Sequence, residues 1–264
     1  MSIKDYQPAL AAARQAASAA ADILLHYWRK GVTVEWKSDA TPVTVADREA
    51  ELAIREVLAS ELPGASIFGE EFGHDGQSQE WLWLVDPLDG TKSFVRRTPF
   101  FSTQIALMHR GELVLGVSSA PVYGETMWGC TGKGAWFQGD PVQIADTTEL
   151  AQASISFGNI KSLTGDARWT AMGGLVAQAN RVRGYGDFCH YHLLARGALD
   201  LVIESDVNIL DVAALAVIVR EAGGVFTDLA GRGPSLETTS VLAGTPALHR
   251  LALARLHIDQ GTSA

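Results

Sequence analysis

Two aspartates three residues apart close an apolar run. Trp81-Leu82-Trp83-Leu84-Val85 is followed by Asp86-Pro87-Leu88-Asp89-Gly90-Thr91. The unbroken run reads as a buried strand. A buried strand does not end in carboxylates unless something cancels their charge, because an unpaired charge in an apolar setting is costly. Pro87 fixes one backbone φ and Gly90 frees another, which suits a tight turn at the carboxyl end of the strand. Residues 91–96 can then open a helix whose first amides are free to hold an anion. One short stretch thus offers two hard oxygen ligands for a divalent cation and a seat for phosphate beside them. Oxygen-only sites suit magnesium, which binds through a few carboxylates plus phosphate oxygens.

Other acids stand where strands end or helices begin. Residues 66–69 read as a strand running into Glu70 and Glu71. Alone that pair is a solvated turn; beside an Asp-x-x-Asp pair Glu70 becomes a candidate third carboxylate. Leu201-Val202-Ile203 ends in Glu204, and Asp211 opens a helix over 211–221 that is nearly all apolar. An acid in a first turn complements the helix dipole, and one leading a buried helix also needs something charged to face. Asp47 follows a candidate N-cap, Thr44, by three residues. It serves either a capping box or chemistry.

The elements that must position these acids fall into two stretches. Leu10, Ala13, Ala17, Ala20, Leu24 and Trp28 recur at helical spacing with mostly small residues, and Gly31 is the C-cap. A short strand over 32–36, a polar loop over 37–42 and a helix from Thr44 to about Ser60 follow. Residues 73–80 read as a polar surface loop. Strands at 101–108, 113–120, 126–130 and 135–138, separated by turn signals, make an antiparallel meander. From about 149 onward short strands alternate with helices. The expectation is an α+β half over 1–148 and an α/β half over 149–264, packed as one compact unit.

Composition bounds the function. A net charge of −9 argues against a sequence-independent nucleic-acid binder, which needs a basic face. With 47% apolar residues there is ample core, and 19% charged residues is not the balance of a disordered chain. Cys130 and Cys189 lie too far apart for a metal motif. Lys4, Asp5, Arg14 and Gln15 interrupt any secretory leader, and no stretch approaches a membrane span. A soluble cytoplasmic protein is expected.

The Asp86-Pro-Leu-Asp-Gly-Thr run resembles the signature of the inositol monophosphatase family of metal-dependent sugar-phosphate phosphatases. Further blocks carry the resemblance in order: residues 43–47, Gly69-Glu70-Glu71, Asp211 with Ala213 and Ala214, and 221–224. It therefore covers nearly the whole chain, from Lys37 to Gly224. It implies a layered αβαβα sandwich of the α+β class. It implies two or three Mg2+ ions held by Glu70, Asp86, Asp89, Asp211 and the Leu88 carbonyl. Asp47, Glu70 and Thr91 would be catalytic, with Thr91 and Asp47 orienting and deprotonating a water. Asp89 and the Gly90 and Thr91 amides would meet the phosphate, and family habit adds a homodimer.

The departures from the inositol type are informative. Lys92-Ser93-Phe94 stands where that type carries Thr-Asn-Phe. Asp187 stands in the substrate-selecting segment, Arg183 to His190, where a small residue is usual. Both resemble the histidinol-phosphate phosphatase branch. Lys92, Arg183, Asp187 and Glu204 are the expected substrate contacts, the two acids suiting a cationic amino alcohol. Inositol monophosphate and 3′,5′-bisphosphate nucleotides are the alternative substrates. A non-catalytic, metal-dependent phosphate-binding protein is the alternative of another class. Leu210 replaces a usual Trp beside Asp211. That Trp packs rather than ligates.

Overall fold

The computed structural model of the chain describes residues 5–31, 34–36, 42–78 and 80–258. Helix α1 (Gln7–Lys30) buries Leu10, Ala13, Ala16, Ala17, Ala20 and Leu24, and Gly31 ends it at φ 97°. Its small face is consumed inside the chain, against helix α2 and the sheet, rather than left as a subunit surface. Strands β1 (Val34–Trp36) and β2 (Pro42–Thr44) pair antiparallel. The polar loop expected between them falls, at residues 37–41, outside the described residues. Helix α2 (Val45–Glu61) starts at its N-cap Thr44.

Next come β3 (Ser66–Gly69), β4 (Gly73–Asp75), β5 (Trp81–Asp89), the short helix α3 (Thr91–Val95), β6 (Ser102–His109), β7 (Glu112–Ala120), β8 (Glu125–Cys130), β9 (Ala135–Phe137) and β10 (Asp140–Val142). They form one sheet in the order β10-β9-β8-β7-β6-β5-β3-β4, antiparallel except between β3 and β5. β4 corrects the expectation of a loop over 73–80. Gly73-His74-Asp75 has little strand propensity, yet β3 offers it an edge to pair with. The period-2 alternation sorts the sheet's two faces. Trp83, Val85, Ile105 and Leu107 pack toward α1 and α2, while Leu84, Ala106 and Met108 pack toward the other side.

The remaining elements are β11 (Ser154–Gly158), α4 (Ile160–Leu163), α5 (Trp169–Gln178), β12 (Arg181–Arg183), α6 (Asp187–Ala195), β13 (Leu201–Ser205), α7 (Ile209–Glu221), β14 (Val225–Thr227), β15 (Ser240–Gly244) and α8 (Pro246–Ile258). Their strands make a second sheet, β12-β11-β13-β15-β14, parallel through β13 and antiparallel beyond it. α6 and α7 fill the space between the two sheets. α7 is apolar all round because both its faces are covered. It approaches the large sheet closely at two glycines. A Cβ on Gly116 would lie 2.4 Å from the Ala214 carbonyl oxygen, and one on Gly129 would lie 3.1 Å from Ile218 Cα. α5 and α8 cover the outer face of the small sheet. The layers run helix, sheet, helix, sheet, helix, as the resemblance implies. Among the described residues no helix is long and apolar enough to cross a membrane.

Candidate active site

The parallel pair β3 and β5 ends side by side, with Gly69 opposite Val85, so Glu70 and Asp86 emerge as neighbours. The Glu70 amide donates to the Val85 carbonyl at 3.2 Å. The ladder from β5 to β6 slips register between Asp86 and Asp89, an irregularity that re-aims side chains beside a site. Pro87 sits inside it, and Thr103 Oγ1 donates to the Pro87 carbonyl at 2.9 Å. Gly90 then turns the chain at φ 88°, where a Cβ would lie 2.5 Å from the Phe100 carbonyl oxygen. From the middle layer α7 brings Asp211. Carboxylate oxygens of Asp86, Asp89 and Asp211 lie within 4.8 Å of one another.

These acids line a cavity of about 240 Å³ together with Glu70, Asp187, Glu204 and Asp206, and Lys92 is its basic lining residue. Burial, then the charges of Glu70, Asp89 and Asp211, push the Asp86 carboxyl well above the usual carboxylate range. Burial, then Asp187 and Asp211, do the same to Asp89, although Ser102 Oγ donates to its Oδ2 at 3.0 Å. Asp211 is pushed up to about 6, by burial first and Glu70 among the charges. So many carboxylates with so little positive charge is an arrangement that bound cations complete. The donors are all hard oxygens, which fits magnesium.

Asp47 is both a cap and a member of the site. The Thr44 amide and hydroxyl donate to its Oδ2 at 2.8 and 2.6 Å, while Thr91 Oγ1 approaches its Oδ1 at 3.2 Å. The same Thr91 hydroxyl lies 3.0 Å from the Leu88 carbonyl. Burial raises the Asp47 pKa against the lowering effect of the Thr44 bonds. Asp211 repeats the device at α7. Its Oδ2 takes the Asn208 amide at 2.8 Å in a capping box while it faces the acid cluster.

The opposite wall carries the substrate candidates. Glu204 is buried on β13, where its Oε2 accepts from the Tyr191 hydroxyl at 2.6 Å and lies 3.0 Å from His190 Nε2. A Cβ on the neighbouring Gly158 would lie 1.9 Å from Glu204 Oε1, so that glycine makes room for the carboxylate. Asp187 holds φ 46° at the start of α6; the N-cap is Gly186, without a side-chain bond. Burial and then Glu204 push Asp187 up to about 6. Gly90 and Lys92 also line the cavity. Arg183 is not brought there: it is exposed on β12, and its Nη1 donates to the Val182 carbonyl at 2.7 Å. Leu210 packs in the core, and Val212 and Leu215 form the wall instead.

Sequence reasoning passed over Tyr191, Ser102, Asn159 and Asp206. Tyr191 lies one helical turn beyond Asp187, a spacing that puts both on one face of α6. Ser102 stands directly across the ladder from Asp89. Asn159 and Asp206 sit in loops and carry no signal of their own.

A layered αβαβα sandwich whose sheets enclose a polyacidic cleft defines a phosphatase of the metal-dependent kind. The chain belongs to the inositol monophosphatase family, whose model matches residues 5–260. A histidinol-phosphatase from Mycobacterium tuberculosis is 39% identical over 230 residues, covering 85% of this chain and 88% of that protein. A histidinol-phosphatase from Streptomyces coelicolor is 37% identical, covering 82% and 84%. The structure of an inositol monophosphatase from Anabaena superposes with a TM-score of 0.83 at 28% identity, covering 96% of each chain.

Proposed function

We propose that the protein is a magnesium-dependent phosphomonoesterase acting on histidinol phosphate. The observation that carries the substrate is the pair Asp187 and Glu204, which makes the wall facing the metal-binding acids anionic as well. A neutral polyol gains little there, whereas the ammonium group of an amino alcohol would offset both the burial and, after it, the Glu204 charge that raise Asp187. The relatives named histidinol-phosphatase support the same reading.

Glu70, Asp86, Asp89 and Asp211, with the Leu88 carbonyl, would hold the cations. Bound there, magnesium would neutralise the ester's phosphate and acidify the attacking water. The amides of the Gly90–Thr91 turn would hold phosphate oxygens. Thr91 Oγ1, donating to Asp47 Oδ1, keeps a lone pair for the water's hydrogen and so fixes its direction of attack. Asp47, its other oxygen occupied by Thr44, is the group placed to take the proton through Thr91. Phosphate release from histidinol phosphate, inositol monophosphate, 3′-phosphoadenosine 5′-phosphate and fructose 1,6-bisphosphate tests the proposal. Histidinol phosphate should lead in kcat/KM by roughly ten- to a hundredfold, the worth of one charge-assisted contact. Preference for a neutral-tailed ester would overturn the substrate assignment, and turnover of none would leave a phosphate-binding protein.

A further inference from the structure

We propose that Glu51 is the positioning residue for Glu70: the Gly69–Phe72 turn is folded around its buried carboxylate. The inference rests on the reading of Glu70 as a metal ligand. Glu51 lies in the middle of α2 and is fully buried. Its Oε2 accepts from the Glu71 amide at 2.7 Å, and its Oε1 from the Phe72 amide at 3.3 Å. On the other side of Glu70 a Cβ at Gly69 would lie 2.0 Å from Glu51 Oε1. The carboxylate therefore holds the backbone after Glu70 by two hydrogen bonds and lies so close to Gly69 before it that only glycine fits there.

Arg55, one helical turn on, completes the clamp. Its Nε donates to Glu51 Oε1 at 2.8 Å and its Nη2 to the Gly73 carbonyl at 2.8 Å. Its Nη1 pairs with Asp75, whose Oδ1 takes the Ile67 amide at 3.2 Å. Both strands of the β3–β4 hairpin are thus tied to α2 through Arg55, which pairs with Glu51 on its own helix and with Asp75 on β4. A buried pair of this kind is weak evidence for stability, since apolar residues of similar volume often serve as well. Directing a turn is what an apolar replacement cannot do. The Glu70 side chain is exposed and the hairpin lies at the sheet edge, so where it points depends on how the turn beneath it is held. Holding the turn removes ordering entropy that metal binding would otherwise have to overcome.

The test is a calorimetric titration of the metal-free protein with magnesium chloride, using Glu51→Gln, Glu70→Gln and the double variant. Glutamine cannot accept from two amides and Arg55 at once. Glu51→Gln should weaken magnesium binding by about ten- to a hundredfold, the usual scale for a group that orients a ligand. The double variant should bind no more weakly than Glu70→Gln, because both changes remove one function. Half-saturating magnesium for activity should rise in parallel, with KM for the ester unchanged at saturating metal. Arg55→Met should give the same signature and serves if Glu51→Gln does not fold. Wild-type affinity in both Glu51→Gln and Arg55→Met, or additive losses in the double variant, would overturn the proposal. Unchanged affinity in Glu70→Gln would instead show that Glu70 is not a ligand, and the inference would fall with it.

Discussion

Asp47 divides its two carboxylate oxygens between Thr44, which closes its own helix, and Thr91, 44 residues further along the chain. One residue thereby fixes the start of α2 relative to the Gly90–Thr91 turn. Thr91→Ala should lower kcat by about 10²–10⁴, the range for positioned proton transfer, with KM little changed. Wild-type kcat in that variant would remove Thr91 from the mechanism.

Thr44 separates the cap from the chemistry. Thr44→Ala should cost about 0.5–2 kcal/mol of stability through the lost N-cap. It removes the hydroxyl donor from Asp47 Oδ2 but leaves the backbone amide of residue 44 there and the Thr91 contact on Oδ1, so kcat should fall less than in Thr91→Ala. Thermal unfolding beside steady-state rates checks both halves, and a kcat loss as large as that of Thr91→Ala would defeat the separation.

The metal-free protein should lose stability as pH rises. Asp86 and Asp89 keep their protons above the usual carboxylate range, and Asp187 and Asp211 up to about 6, with burial the first cause throughout. The unfolded chain releases these protons near pH ~3.9, so between there and the folded values the folded state binds more protons. Stability is then greatest below the unfolded pKa and falls as pH climbs through and beyond 6. The Tm of metal-free protein should drop from about pH 5 to about pH 8, and saturating magnesium should remove most of the drop. Asp86→Asn should raise the metal-free Tm at the upper pH while abolishing activity. A flat profile in chelator would contradict the electrostatics of the cleft.

Asp187→Asn tests the substrate wall. Asparagine tolerates the left-handed backbone found at 187, so the fold should hold. KM for histidinol phosphate should rise about ten- to a hundredfold, the loss of an ionic hydrogen bond of ~1.5–3 kcal/mol. A small neutral-tailed ester should be hydrolysed as before. Equal losses on both esters would remove the reason for naming an amino-alcohol phosphate.

Gly116→Ala probes how the sheet places Asp211. The added methyl would meet the Ala214 backbone, and α7 would have to move. Overpacking of this kind costs about 1–3 kcal/mol. Magnesium affinity should fall with stability. Unchanged affinity in a destabilised variant would show that Asp211 keeps its place independently of that contact.

What was legible in the sequence was whatever broke a local rule. Asp86 and Asp89 interrupt a buried strand, and Asp211 leads an apolar helix; each is an acid where burial forbids one without a partner. The order of strands and helices followed from periodicity, including the meander and the later alternation. Glu51 was not legible, because an acid inside an amphipathic helix looks like a solvated face until the fold lays a turn across it. β4 was missed because its pairing is supplied by β3 rather than by its own residues. Arg183 shared a motif segment with Asp187, but β12 carries its side chain away from the cavity.

The cleft is walled by two sheets, with Asp86 and Asp89 on the larger and Glu204 on the smaller. The acids proposed for hydrolysis on β5 and the acid proposed for selection on β13 therefore stand on separate sheets, with α7 and its Asp211 packed between them. A lineage could exchange the residues of β13 and the start of α6, and with them its taste for the organic half of an ester, while inheriting the cation cluster intact.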